Sequence, residues 1–441
     1  MSLFQKLFYS DFTESLLSEQ HLLGAMVEVE LALVKAQEEA GLIPKGISEK
    51  LEAIFHQIEF DLAFLRENIA GSGNPAAPLV KQLVAISSQT DKEASKYIHL
   101  GATSQDIVDT AMMLKLKGFN EWLQEHLNSL SSALFTLVST HKHSLMIGRT
   151  LMQQARPISF GFKAAKWLQA INFCRRDFQA DKELIFSIQL GGAVGSQNKY
   201  LPNEVRKNFA NLLGLKDSVS WHTERARLAS YTSKLAILSG SLAKIAKDVV
   251  LMSQTEVAEL NEASAKGRGT SSTMPHKRNP ILSTSILANA QRIPFLLGNM
   301  IANMPQAHER AAGFWHAEWE PLDQILQLTA GSLEKCIELI QGLEVHTDKM
   351  RQNLEATQGL IYAESLALAL AQKHGKEKAH EQLEIACRES KMQGKHLRNI
   401  VESMALGFSS KELDELFDPA NSLGYSLSII EEIISEYEHI L

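Results

Sequence analysis

Residues 228–252 read LASYTSKLAILSGSLAKIAKDVVLM, and within them Leu228, Tyr231, Leu235, Leu238, Leu242, Ile245, Val249 and Met252 recur at alternating spacings of three and four. That period is a heptad seam, the pattern of a helix packed lengthwise against other helices. The next two seam positions are Glu256 and Glu259, so the apolar stripe stops there. A seam of this kind fits a bundle core. It also fits subunit association, because a helix of about 40 residues spans ~60 Å, more than one small domain can cover.

Proline placement extends the same reading outward. None occurs between Pro78 and Pro157, between Pro202 and Pro275, or between Pro321 and Pro419. Proline breaks helix interiors, so these gaps admit long helices. Strand-like alternation with paired turn signals is scarce. The expectation is an all-α chain in three regions: an N-terminal helical region over 1–105, a central bundle of long helices over 106–345, and a C-terminal helical region over 346–441.

With 45% of 441 residues hydrophobic and 22% charged, the chain can bury a large core and has the balance of a soluble globular protein. A formal net charge of −7 supplies no basic face for nucleic acid or an anionic membrane. Any anion must therefore be bound at a locally positive site. Cys174, Cys336 and Cys387 form no CxxC pattern and read as unpaired thiols of a reducing compartment. The start, MSLFQKLFYSDFTESLL, has no basic segment followed by an apolar run, and no stretch approaches the ~18 apolar residues of a membrane span. A cytoplasmic location is expected. The 15 histidines include no HxxxH or HExxH spacing, so no metal site is expected. Gly191-Gly192-Ala193-Val194-Gly195-Ser196 lacks the GK[ST] ending of a phosphate loop and reads as a tight connection between helices.

Chemistry concentrates in a few segments. In 267–280, GRGTSSTMPHKRNP, glycines at the start and prolines at the end enclose hydroxyls, a histidine, two cations and an amide. Such a segment, following a long helix, reads either as a lid hinged on a rigid rod or as a solvated basic loop. In 99–111, HLGATSQDIVDTA, Thr103-Ser104 followed by acidic residues reads as a helix N-cap, and a helix start also presents amides to an anion. In 148–157, GRTLMQQARP, Arg149 is either a carboxylate partner or half of a structural ion pair. Trp315 and Trp319, one helical turn apart in 307–319 (AHERAAGFWHAEW), fit a core, and Arg310 fits either an ion pair or a ligand.

The string Ser271-Ser272-Thr273-Met274-Pro275-His276-Lys277-Arg278-Asn279-Pro280 matches the SSxMPxKxN signature of the fumarase/aspartase superfamily at every fixed position, and the chain resembles that superfamily from about residue 5 to 440. Residues 99–111 resemble its HxGxTSxDxxDTA segment, and 148–157 its GRTHxQxAxP region with Leu151 where a catalytic histidine often stands. Residues 72–80 (SGNPAAPLV), Trp221-His222-Thr223-Glu224-Arg225 and 307–319 point to the superfamily's carboxymuconate cycloisomerase branch, which also lacks that histidine. The resemblance implies a homotetramer whose core is formed by the long bundles and whose sites combine segments of three subunits. It also implies a tricarboxylate substrate and no cofactor, since the substrate itself delocalises the charge. The implied reaction is intramolecular addition of a carboxylate to a conjugated double bond in protocatechuate catabolism. Ser271 is the implied proton-transfer residue. Lys277, Asn279, Thr103, Ser104, Gln153, Arg149, Asn74, His99 and Arg310 are the implied substrate contacts. A serine works as a base only if backbone N–H groups and a nearby cation stabilise its alkoxide, which Lys277, His276 and the loop amides can supply. Rival readings are an adenylosuccinate lyase-like C–N lyase, which needs an acid that Leu151 cannot provide, and a catalytically idle structural homologue.

Overall fold

The computed structural model describes residues 3–180, 185–264, 269, 273–274 and 276–439. Among them are 18 α-helices and two short two-stranded sheets. The elements that matter for the site are α1 (Glu19–Glu39), α2 (Ala76–Thr90), α3 (Ser104–Thr140), β1 (Leu145–Thr150), β2 (Gln153–Ser159), α4 (Phe160–Ala180), α5 (Ala226–Met252), β3 (Leu260–Asn261), α6 (Ile281–Ala302), α7 (Trp319–Gln341) and β4 (Glu344–Val345). All eight seam residues lie on α5 and are buried, and α5 ends at Met252, where the stripe runs out. Each such side chain contributes about 1.5–3 kcal/mol through the apolar surface it removes from water.

The chain divides into two compact units assembled from interleaved segments. The first comprises residues 1–126, 174–240 and 288–334; the second comprises 127–173, 241–287 and 335–441. Long helices supply residues to both, so this division follows contacts, whereas three successive regions follow chain order. In the first unit α1 buries Met26, Val29, Leu33 and Val34 and packs on the helices Ile47–Phe55 and Asn203–Leu213. The carbonyl of Phe8 lies so near Gly331 on α7 that a Cβ there would come within 2.0 Å of it. The Asn289 side chain on α6 donates to that same carbonyl at 2.8 Å. α6 carries Pro294 in its interior, which removes one N–H from its ladder.

In the second unit β1 and β2 form an antiparallel hairpin, paired from Leu145↔Ser159 to Thr150↔Gln153. Among the described residues this hairpin is one of two short strand pairings in an otherwise helical chain, in keeping with the expected scarcity of strands. The two-residue turn is Leu151-Met152, with φ of 48° and 65°. Both lie in the left-handed region required by a hairpin turn of this length, which Asn-Gly ordinarily fills. Neither turn residue carries that signal, so sequence patterning gave no warning of the hairpin. A second pairing, Leu260↔Val345 and Asn261↔Glu344, joins β3 to β4. The C-terminal helices enclose a small core of Leu366, Leu370, Leu397, Val401 and Leu413.

Truncation at the middle of the seam tests the α5 packing. Leu238→Ala is expected to lower unfolding free energy by roughly 2–5 kcal/mol in chemical denaturation. Leu238→Met, which conserves volume, should cost less than about 1.5 kcal/mol.

Candidate functional site

The first turn of α3 is organised by a buried carboxylate. Asp106, fully shielded from solvent, accepts from the backbone N–H of Thr103 at 3.0 Å, of Gly191 at 2.9 Å and of Gly192 at 2.8 Å. It also receives the Gln189 amide at 3.3 Å and His222 Nε2 at 2.8 Å. Because the carboxylate can only accept, the imidazole carries its proton on Nε2. Asp106 stands three residues into the helix and reaches back to the N-cap amide, which is half of a capping box. The expected cap therefore exists, but the group that makes it is Asp106 rather than the Thr103 or Ser104 hydroxyl. The glycine-rich segment is an inter-helix connection, as read, and it also presents two amides to this carboxylate. Only glycine fits: a Cβ at Gly191 would lie 2.6 Å from Ser220 Oγ, and Gly192 has φ of +69°.

One turn further along α3, Asp109 meets Arg225 and Glu318. Arg225 donates to Asp109 at 2.7 Å and to Glu318 at 2.6 Å, and all three side chains are buried. Trp315 Nε1 and the Gln105 amide complete the shell of Asp109 at 2.9 and 3.1 Å. Gln306 donates to Glu318 at 2.9 Å. Burial opposes the charge on Arg225, but the two carboxylates win and raise its pKa. For Glu318, burial pushes the carboxyl up against the pull of Arg225. Trp315 is thus core, as its spacing suggested, and it also holds a carboxylate.

Around this frame lie several of the expected contacts. Thr103 Oγ1 accepts from Arg310 Nη2 at 2.7 Å, and the same Nη2 donates to the Ala193 carbonyl at 3.0 Å. Arg310 is exposed, and among the described residues its Nη1 and Nε bond to nothing. Ser104 is the first residue of α3 and partly exposed. His99, at φ of 59°, bonds through Nδ1 to the fully buried Glu30 at 2.6 Å. Asn74 is spent on its own turn: its Oδ1 accepts from Ala76 and Ala77 N–H at 3.1 Å, and its Nδ2 donates to the Ser72 carbonyl. It caps the start of α2.

The other expected residues belong to the second unit. Both Nη atoms of Arg149 pair with Glu259, at 2.8 and 2.7 Å, and Glu259 is wholly buried and also held by Asn353. Of the two readings of Arg149, the structural ion pair is the one present. Gln153 is exposed at the hairpin tip, beside Leu151 and Met152. In the signature segment the Lys277 N–H donates to Met274 O and the Asn279 N–H to Gly269 O, each at 2.9 Å. Gly269, with φ of +66°, would place a Cβ 2.5 Å from the Asn279 carbonyl. Lys277 is exposed and Asn279 partly so. Arg278 is anchored to Glu344, bidentate at 2.8 Å, and Glu262 caps the start of α6 through the Leu282 and Ser283 amides. β3 and its flanking turns separate α5 from this segment, which therefore does not follow the helix directly. Ser271 lies outside the described residues.

Sequence reasoning missed the burial of several acids, among them Glu30, Asp106, Asp109, Glu259 and Glu318. Asp106 and Asp109 were visible as fixed acids inside the HLGATSQDIVDTA pattern, where a capping role hid their burial. Asp106→Asn removes one acceptor atom and sets an amide donor against amide donors. It is expected to cost about 3 kcal/mol and to lower kcat/KM, read by thermal melting and turnover together.

A family model described as lyase matches residues 5–294, and one described as the adenylosuccinate lyase C-terminus matches residues 359–433. The 3-carboxy-cis,cis-muconate cycloisomerase of Acinetobacter baylyi is 40% identical over 98% of this chain and 98% of its own length. That of Pseudomonas aeruginosa is 38% identical over 99% and 96%. The crystal structure of 3-carboxy-cis,cis-muconate lactonizing enzyme from Pseudomonas putida superposes with a TM-score of 0.93 at 36% identity, covering 99% of both chains.

Proposed function

The chain belongs to the lyase family, and from that premise we propose that it converts 3-carboxy-cis,cis-muconate to 4-carboxymuconolactone in protocatechuate catabolism. One substrate carboxylate adds to the conjugated double bond, and the resulting aci-carboxylate is protonated on carbon. Full-length likeness to several cycloisomerases carries this reading. Leu151 sharpens it. That side chain stands at an exposed hairpin tip where related C–N lyases place a histidine, and it can neither donate nor accept a proton. A leaving nitrogen needs such an acid; an intramolecular addition has no leaving nitrogen.

Ser271 is the proton-transfer residue in this proposal, with its alkoxide stabilised by loop amides and by Lys277. Lys277, Asn279, Arg310, Thr103, Ser104, Gln153 and His99 hold the carboxylates. Arg149 and Asn74 act by shaping the hairpin and the α2 turn. Because attack is intramolecular, fixing the reactive conformer supplies much of the acceleration. No organic cofactor enters the scheme. The assembly is a homotetramer with sites that combine segments of three subunits, acting on a soluble small molecule in the cytoplasm.

An ultraviolet assay with 3-carboxy-cis,cis-muconate, unsubstituted muconate and adenylosuccinate side by side tests the reading. Loss of the carboxymuconate chromophore alone is expected; turnover of adenylosuccinate alone would replace the proposal with a C–N lyase. Ser271→Ala is expected to cut turnover by at least about a hundredfold while oligomer and melting stay as in the parent. Unchanged turnover in that variant would remove Ser271 from the chemistry.

A further inference from the structure

The His99 imidazole is backed by a carboxylate that has no other visible task. Glu30 projects from the middle of α1, is completely buried, and spends Oε1 on His99 Nδ1 at 2.6 Å. Its Oε2 is buried and has no partner among the described residues. An ionised carboxylate buried with one hydrogen-bond partner is costly unless that partner is a cation. The backbone of His99 is itself strained, at φ of 59°, a conformation that costs about 1–3 kcal/mol for a residue other than glycine. Gln37, two turns along the same helix and also fully buried, donates to the Leu100 carbonyl and fixes the chain beside the imidazole. The ring is about one-fifth exposed, and its outer nitrogen, Nε2, bonds to nothing among the described residues.

We propose that Glu30 is a positioning residue for the cycloisomerase reaction: it fixes the proton of His99 on Nδ1 and holds the ring as a cation, so that Nε2–H grips a substrate carboxylate. Two charged groups face His99, Glu30 from α1 and Asp106 from α3. Burial works against the imidazolium, but both acids favour it, and the balance raises the pKa of His99. The folded protein therefore holds this proton more tightly than the unfolded chain. The resulting stability is complete below the ordinary histidine value of about 6.5 and is lost as pH rises through the higher folded value. In an acidic protein that binds a tricarboxylate, an imidazolium favoured by a buried acid answers the need for local positive charge.

This inference rests on the proposed substrate, so one arm of its test uses none. Protein carrying 15N-histidine is titrated by imidazole NMR, with the His99 signal assigned from His99→Gln. The wild-type ring is expected to stay cationic above the ordinary histidine range, and Glu30→Gln is expected to titrate at lower pH. The second arm is kinetic. Glu30→Gln should raise KM for 3-carboxy-cis,cis-muconate about tenfold or more at pH 8, recovering as pH falls, with kcat changed less. Glu30→Asp should restore part of the loss. His99→Gln should raise KM independently of pH, and adding Glu30→Gln to it should change the pH dependence no further. A His99 titration indifferent to Glu30→Gln, or a KM with the wild-type pH profile in that variant, would overturn the proposal. If Glu30→Gln does not fold, a His99→Gln enzyme that keeps the wild-type KM and pH profile would do the same. Absence of carboxymuconate turnover in the wild type would instead overturn the substrate reading and leave the titration result standing.

Discussion

The first unit depends on the carboxylate of Asp106. Five donors reach it from three separate stretches of chain: the N-cap amide of α3, the Gln189–Gly192 turn and the His222 ring. A carboxylate carried out of water into a protein interior loses its hydration, and donors must replace it. Here they do, and the requirement that they converge determines where the glycine turn and the Trp221–Arg225 turn sit relative to α3. Asp109 repeats the logic one turn later, with Arg225 as counter-ion and Glu318 as the second acid. The first turn of α3 is consequently rigid before any ligand arrives.

This division of labour explains how a chain of net charge −7 offers donors to an anion. Charges inside the frames are consumed internally: buried Arg225 by two acids, and partly exposed Arg149 by the buried Glu259. Exposed donors sit at the margins of the same frames. Arg310 is held through one nitrogen by Thr103 and Ala193, and its two other guanidinium nitrogens bond to nothing among the described residues. Lys277 is exposed on a segment anchored by Arg278 to Glu344. Specific carboxylate contacts built this way need no overall basic surface, only preorganised donors that cost little to arrange at the moment of binding.

Much of this was legible in the sequence. The heptad spacing from Leu228 to Met252 placed a long buried helix and marked its end. The signature string and the HLGATSQDIVDTA pattern pointed to the family. Burial of acids was not legible, because hydrophobic periodicity reports apolar residues and is silent about a carboxylate satisfied by distant backbone amides. Glu259 illustrates this: it read as the end of an apolar stripe, yet it is the fully buried partner of Arg149, 110 residues away. Glu30 was equally invisible, since its partner lies 69 residues along the chain. The hairpin was missed for a different reason, a turn built from Leu151 and Met152 in left-handed conformations that local propensity disfavours.

Amide hydrogen exchange on the wild-type protein, resolved to residues 103, 191 and 192, probes the Asp106 cluster most directly. These amides lie in turns, outside any helix or strand ladder, and would ordinarily exchange early. Bound to a buried carboxylate, they should be protected as strongly as the interior of α3, while Val194, exposed in the same connection, exchanges fast. Exchange of Gly191 and Gly192 at the rate of Val194 would contradict the account.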